Sequence, residues 1–301
     1  MRLLPRLLSI AIVALTLTSH ADSPSRPFLC CDYGGNTISI VTPSGQIEWQ
    51  IETKRPQDCW LLPNGNILFA YLDGAQEITR DKQVVWEYKA PTDTKVECHA
   101  CQPLPNGDVL IVECGTSRLI EVNRAGKIAK EIKLVTTCEK IHNQFRGARK
   151  TANGHYFVTF KGEGKVVELD PTGQVLREIP VPGDPHEVVP LPSGNLLITC
   201  GDGHKVQEIA PDSQVVWELN ENDLPGNTLR LMAGCQRLPN GNTVFCNYLG
   251  HGHLGEQPQV FEVTPDKKVV WESADHAHFK DINQIQVLDV TGDVTQGQIL
   301  R

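Results

Sequence analysis

The sequence predicts an all-β fold, a six-bladed β-propeller of four-stranded antiparallel blades. Three observations predict it. Two turn phrases alternate along the chain, and each recurs six times at a spacing of roughly 40 to 50 residues. The runs between them are short and rich in Val, Ile and Leu, often alternating, and no long segment carries a helical period. The two ends of the chain supply complementary parts of one blade.

The first phrase is Leu62-Pro63-Asn64-Gly65-Asn66-Ile67-Leu68. It returns as Leu104-Pro105-Asn106-Gly107 and Leu238-Pro239-Asn240-Gly241, more weakly as Thr151-Ala152-Asn153-Gly154 and Leu191-Pro192-Ser193-Gly194, and in degraded form between Leu288 and Gly292. Proline presets φ and glycine accepts a positive φ, so each copy reverses the chain tightly. The second phrase is Thr42-Pro43-Ser44-Gly45-Gln46-Ile47-Glu48-Trp49, with counterparts ending at Trp86, Lys130, Arg177, Trp217 and Trp271. Each unit is therefore two hairpins, strands A to D, with the first phrase joining A to B and the second joining C to D. The segment from Pro27 to Trp49 holds B, C and D without an A, and the segment from Ile282 to Asp289 holds an A with little after it. Together they make the sixth blade and close the ring, covering the end faces that a linear stack would expose.

Ahead of the propeller, Arg2 and Arg6, the apolar run from Leu7 to Leu17, and the small residues Ser19 and Ala21 read as a signal peptide over 1–21. One domain is expected over 22–301. The apolar run is too short to span a bilayer, so the mature protein is expected to be exported, periplasmic or extracellular, with no membrane association after cleavage. A net charge of −8 and no long charge run exclude the basic footprint of a nucleic-acid binder. All ten cysteines lie in the mature part, where disulfides are permitted, and their connectivity stays open.

The Leu-Pro-Asn-Gly-Asn phrase resembles the repeat of bacterial arylsulfotransferase-like propellers, and the Pro-x-Gly-x-Val-x-Trp-Glu phrase is similar to that of pyrroloquinoline-quinone-like propellers. The resemblance spans nearly the whole mature chain. In the first family, histidines at the channel end of strand A carry or assist the sulfuryl group, helped by arginine. His99 and His186 each stand five residues before the leucine of the first turn phrase, Leu104 and Leu191. The same slot holds Gln57, Arg146, Ala233 and Asn283 in the other blades. The resemblance thus implies His99 or His186 as nucleophile or acid–base group, with Arg146 on the sulfuryl oxygens, although Ala233 leaves one blade without a polar group. The quinone-like branch includes dehydrogenases with a larger ring and a bound calcium. Cys30-Cys31 is similar to a vicinal disulfide of that branch, but it lies in a strand at the ring closure, and no cofactor is expected.

The residues themselves point to one face. Strand A lines a propeller channel, and the D-to-A and B-to-C connections share one end of it. His142, His276 and His278 fall in D-to-A connections, and His204, His251 and His253 in B-to-C connections. That face is expected to bind ligand through Gln57, Trp60, His99, Arg146, His186 and Asn283. Arginine offers a planar charged fork for oxyanions, and histidine a nucleophile, proton carrier or ligand. The pairs His251/His253 and His276/His278 read as exposed loop residues, and no metal is assigned to them. Cys98 and Cys101 have zinc-like spacing, but Cys101 shares a repeat position with Cys59, Cys235, Ala148, Val188 and Ile285, which reads as packing. The strand-D tryptophans read as inter-blade packing, whereas Trp60 on strand A is placed near the channel to stack on a ligand. Three functions follow: a propeller binding a small anion, glycan or protein; an arylsulfotransferase-type enzyme using channel His and Arg; or a non-catalytic scaffold with an empty channel.

Overall fold

The computed structural model describes residues 25–301; the expected signal peptide lies outside them. Six four-stranded antiparallel sheets stand around a central channel. The closing blade pairs β24 (Ile282–Val287) with β1 (Phe28–Asp32), β2 (Thr37–Val41) and β3 (Ile47–Glu52). The other five follow in chain order. The second blade is β4 (Pro56–Leu61), β5 (Ile67–Tyr71), β6 (Gly74–Ile78) and β7 (Val84–Lys89). The third is β8 (Glu97–Pro103), β9 (Val109–Cys114), β10 (Arg118–Val122) and β11 (Ile128–Lys133). The fourth is β12 (Phe145–Lys150), β13 (Tyr156–Phe160), β14 (Lys165–Leu169) and β15 (Val175–Pro180). The fifth is β16 (Glu187–Pro190), β17 (Leu196–Thr199), β18 (Val206–Ile209) and β19 (Val215–Leu219), and the sixth is β20 (Leu231–Arg237), β21 (Thr243–Tyr248), β22 (Val260–Val263) and β23 (Val269–Ser273). The six-bladed ring and the closure by β24 are those the repeats predict.

The turn phrases fold as their chemistry requires. Gly65 sits at φ +83° and its N–H donates to the Leu62 carbonyl at 2.9 Å, with the same bond at Gly107 to Leu104 and at Gly241 to Leu238. The position ending the second phrase has a further use. Trp49 Nε1 donates to the Arg80 carbonyl of the next blade at 2.7 Å, Trp86 to Asn123 at 2.8 Å, and Trp217 to Pro265 at 2.8 Å. Where the repeat has Lys130 or Arg177, their side-chain nitrogens reach Pro171 and Pro211 carbonyls in the same way, both at 2.6 Å. The slot therefore selects a long side chain carrying an N–H, and each bond clasps one blade to the C-to-D turn of its neighbour. Apolar clusters fill the wedges between blades; one joins Trp60, Leu68 and Trp86 to Val109, Ile111 and Val122. Cys59, Cys101, Cys235, Ala148, Val188 and Ile285 are all buried, and all ten cysteines are unpaired thiols.

One element was not foreseen. After β24 the chain crosses the turn-bearing end of the channel through a 3-10 turn, Val294–Gln296, burying Val294 and Ile299 in that same inter-blade cluster. The Arg237 N–H donates to the Leu300 carbonyl at 2.9 Å. This brings the Arg301 side chain into the channel, where it is 3% exposed.

Candidate functional site

The inner strands share an irregularity at the slot singled out by the repeats. Pairing skips Gln57 between Pro56 and Asp58, His99 between Cys98 and Ala100, and Asn283 between Cys31 and Asp32 on the partner strand. In β12 the skip covers Arg146 and Gly147, and in β20 Ala233 and Gly234. A β-bulge adds a residue to one strand and re-aims its side chain. Five blades therefore bulge at one level, and in the fifth blade His186 lies just before β16. All six slot residues, Gln57, His99, Arg146, His186, Ala233 and Asn283, line one cavity of about 280 Å³ at the D-to-A end. His142, Lys140 and Asn143 from the β11–β12 connection, His251 from the β21–β22 loop, and Lys161, Tyr33, Tyr248 and Asp202 also line it, as do Glu187 and Gln284.

Below the cavity an ionic layer closes the channel. Arg149 donates to Glu187 Oε2 at 2.9 Å and to Asp58 Oδ2 at 3.2 Å. Arg301 donates to Asp58 Oδ1 at 2.7 Å, and Gln284 Nε2 to Glu187 Oε2 at 2.9 Å. All five residues are buried. Gly147 and Gly234 leave room for this layer: a Cβ on Gly234 would stand 1.9 Å from Gln284 Oε1, and one on Gly147 2.8 Å from Glu187 Oε1. Trp60 belongs here and not to the cavity. Its ring lies beneath the guanidinium groups of Arg301 and Arg149, at 4.1 and 5.0 Å, and its Nε1 donates to the Cys101 carbonyl at 2.7 Å. The stacking partner expected from a ligand is thus supplied by the protein's own arginines.

In the cavity, which Glu187 and Asp202 also line, the pairing is incomplete at Arg146. Arg146 is buried and donates to the Phe145 carbonyl at 3.0 Å, with His99 Nδ1 beside it. Among the described residues, its guanidinium forms no ion pair with a carboxylate. Burial pulls its pKa down to about 10. Burial, then the nearby Arg146 charge, lowers Lys161 to about 8, although Lys161 also meets Asp184. Burial and Arg146 together take His99 down to about 3, and His186 well below its ordinary value. Both imidazoles are therefore neutral at physiological pH. His186 Nε2 is buried and has no hydrogen-bond partner among the described residues. His99 is fully engaged: Nδ1 faces the Phe145 carbonyl at 3.0 Å and Nε2 faces Glu97 Oε2 at 3.1 Å.

The loop histidines divide. His142 and His251 line the cavity. His251 pairs with Asp202, His253 with Glu256 and His278 with Asp275, and neither His-x-His pair gathers a third metal-type donor among the described residues. Sequence reasoning passed over Glu97, Lys161 and the two tyrosines. Glu97 had a signal: Glu97, Asp184 and Asp281 all stand two residues before the slot, so one repeat position carries three acids. Lys161 follows strand B of its blade and carries no repeat signature.

Residues 37–240 match the model of one family, described as Mal s 1 allergenic protein-like. The chain belongs to that family. This Mal s 1-like propeller is 32% identical to a protein of unknown function from Bacteroides caccae, over 87% of this chain and 98% of that one, with a TM-score of 0.79. Two more distant structures share the fold alone. One is a catalytically inactive virginiamycin B lyase from Staphylococcus aureus with quinupristin, at 14% identity, TM-score 0.56, covering 83% of this chain and 95% of that one. The other comes from a nidogen/laminin complex, at 9% identity, TM-score 0.62, covering 88% and 99%. Among curated proteins none matches.

Proposed function

We propose that this Mal s 1-like propeller is an exported binding protein whose D-to-A cavity holds a small oxyanion, a carboxylate, sulfate or phosphate group, with Arg146 as its principal contact. One observation carries the reading: Arg146 is a buried guanidinium in the cavity wall that, among the described residues, forms no ion pair with a carboxylate. Burying an unpaired charge is costly unless something compensates it, and an oxyanion fits the planar fork of arginine. Lys140 and Lys161 stand in the same wall, Lys161 against Asp184, and Asp202 and Glu187 line it as well. Neutral His186 offers Nε2 as a further polar contact. Export rests on the signal-peptide pattern of residues 1–21. Calorimetric titration with sulfate, phosphate and acetate tests the reading. Saturable binding that Arg146→Met abolishes and His253→Ala leaves intact supports it. Equal heats for wild type and Arg146→Met would refute it.

A second reading, sulfuryl transfer of the arylsulfotransferase type, is favoured by the unpartnered Nε2 of His186. A neutral imidazole nitrogen beside an arginine is suited to attack a sulfate ester. Nε2 would displace phenolate from sulfur and pass the sulfuryl group to a phenol acceptor. His99, with both nitrogens engaged, is the poorer nucleophile. Phenyl sulfate and a phenol acceptor test it: transfer no greater than that of His186→Ala removes this reading and leaves the binding reading untouched.

A further inference from the structure

The wall of the cavity holds one cluster that anion recognition does not use. Glu97 opens β8, His99 is its bulged residue, and His142 comes from the 3-10 turn Ile141–Asn143 ahead of β12. Glu97 Oε2 lies 3.1 Å from His99 Nε2 and 2.6 Å from His142 Nδ1, and one donor atom from each residue falls within 4.8 Å of the others. We propose that Glu97, His99 and His142 form a binding site for a first-row divalent transition ion, with Zn2+ as its natural probe.

Four features support the assignment. First, the donor set is two imidazoles and one carboxylate, a set used by open zinc sites that keep a fourth position for water or substrate. Two nitrogen donors favour such an ion over Mg2+ or Ca2+, which select oxygen. Second, His99 has the outer contact that metal-bound histidines use. Its Nδ1 faces the Phe145 carbonyl at 3.0 Å; with the ring proton on Nδ1, the Nε2 lone pair turns toward Glu97. In that tautomer two acceptors, Nε2 and Oε2, face one another, and only a proton or a cation can bridge them. Third, the side chain that must move is free to do so. Ligand atoms about 2.1 Å from a tetrahedral ion stand about 3.4 Å apart, close to the 3.1 Å between His99 and Glu97. His142, at 2.6 Å from Glu97, must withdraw by somewhat under about 1 Å, and its side chain is 37% exposed on a short turn. Fourth, His99 and His142 both line the cavity, so the open position faces the ligand space.

A metal-free arrangement competes with this one. Arg146 Nη1 touches both the Phe145 carbonyl and His99 Nδ1. If Arg146 donates to Nδ1, the His99 proton moves to Nε2 and donates to Glu97, giving a closed polar relay with no use for a metal.

Equilibrium dialysis of the chelator-treated full chain against Zn2+, with metal counted per chain, separates the two. The expected result is one Zn2+ per chain, Co2+ giving the visible absorption of a low-coordinate site, and no comparable binding of Mg2+. His142→Ala, on the exposed turn, and the near-isosteric Glu97→Gln should each weaken Zn2+ binding by more than about tenfold. Their melting temperatures show that the ring is intact. The loop variant His253→Ala and the paired variant His276→Ala/His278→Ala should bind as wild type. Substoichiometric Zn2+, undiminished binding by His142→Ala and Glu97→Gln, or loss of binding in a loop variant would overturn the proposal. None of these measurements involves an oxyanion, so failure of the anion reading would leave this one standing.

Discussion

Replacing Arg149 with Met should be among the most damaging single changes in the ring, and the size of the loss follows from its partners. Arg149 holds Glu187 and Asp58 and donates through Nε to the Arg301 carbonyl at 2.9 Å, while itself 2% exposed. Without it, Asp58 keeps Arg301 and the Cys101 N–H, but Glu187 Oε2 retains only Gln284. Breaking a buried pair from one side typically costs about 3–5 kcal/mol. Burial already raises the pKa of Glu187 despite the arginine beside it. The orphaned carboxyl can therefore take up a proton, which places the loss near the lower end, about 3 kcal/mol. Glu187→Gln should cost far less, about 1 kcal/mol, because Arg149 keeps Asp58 and the amide keeps the shape. The double variant should lose less than the two singles added together, since each removes the same contact. Urea unfolding followed by tryptophan fluorescence reads all three. A loss under about 1 kcal/mol for Arg149→Met, or one equal to it for Glu187→Gln, would show that this layer does not hold the ring.

Three other outcomes follow from the same geometry. Trp86→Phe deletes the inter-blade donor to the Asn123 carbonyl but keeps an aromatic ring, and should lower unfolding free energy by about 1 kcal/mol or more. Gly234→Ala drives a methyl group into Gln284, and a loss of about 1–3 kcal/mol is expected in urea titrations, with Gly241→Ala differing in cause because Gly241 sits at φ +88° and a Cβ there would make only an ordinary contact, 3.6 Å, with Pro265. Burial, then the Asp32 carboxylate, raises Asp281 to about 6, against the Gly34 N–H that bonds to it. The fold thus prefers the protonated form: this contribution is complete below about pH 4, the ordinary aspartate value, and is lost as pH rises through 6. Melting temperatures between pH 4 and 7 should show the trend in wild type and its absence in Asp281→Asn.

The fold was legible because its determinants are local. A Pro-Asn-Gly turn needs only its own residues, so six imperfect copies still announce six hairpins. The missing strand A at one end and the surplus one at the other then fix the closure. The slot holding His99, Arg146 and His186 was legible for a related reason: in a ring, equal repeat positions share a height on the axis. The bulge that turns those side chains inward was not, because it exists only between two paired strands and leaves no composition signal. Nor could Trp60 be placed. Its strand indicates the channel, but what covers its ring is Arg301, which arrives from a segment with no repeat character. The loop histidines show the limit from the other side. His251 and His253 are two residues apart, yet one lines the cavity and the other pairs with Glu256 in the loop.

Arg146 and Arg149 lie three residues apart on β12, both buried, and their difference separates structure from function. Arg149 pairs with two carboxylates, and Arg146 forms no ion pair among the described residues. The fall of its pKa from 12.5 to about 10 puts the penalty for keeping that charge at neutral pH near 3 kcal/mol, at about 1.4 kcal/mol per unit. Met in its place loses the hydrogen bond to the Phe145 carbonyl, worth about 1 kcal/mol, and removes the charge. Arg146→Met should therefore raise the stability of the ligand-free protein by about 1–2 kcal/mol. Destabilising features retained in a fold commonly serve function. Two changes three residues apart on one strand would then move stability in opposite directions, visible as opposite shifts of the urea midpoint. If Arg146→Met destabilises the ring as Arg149→Met does, then Arg146 already has its counter-charge within the fold, and the cavity has no need of an anion.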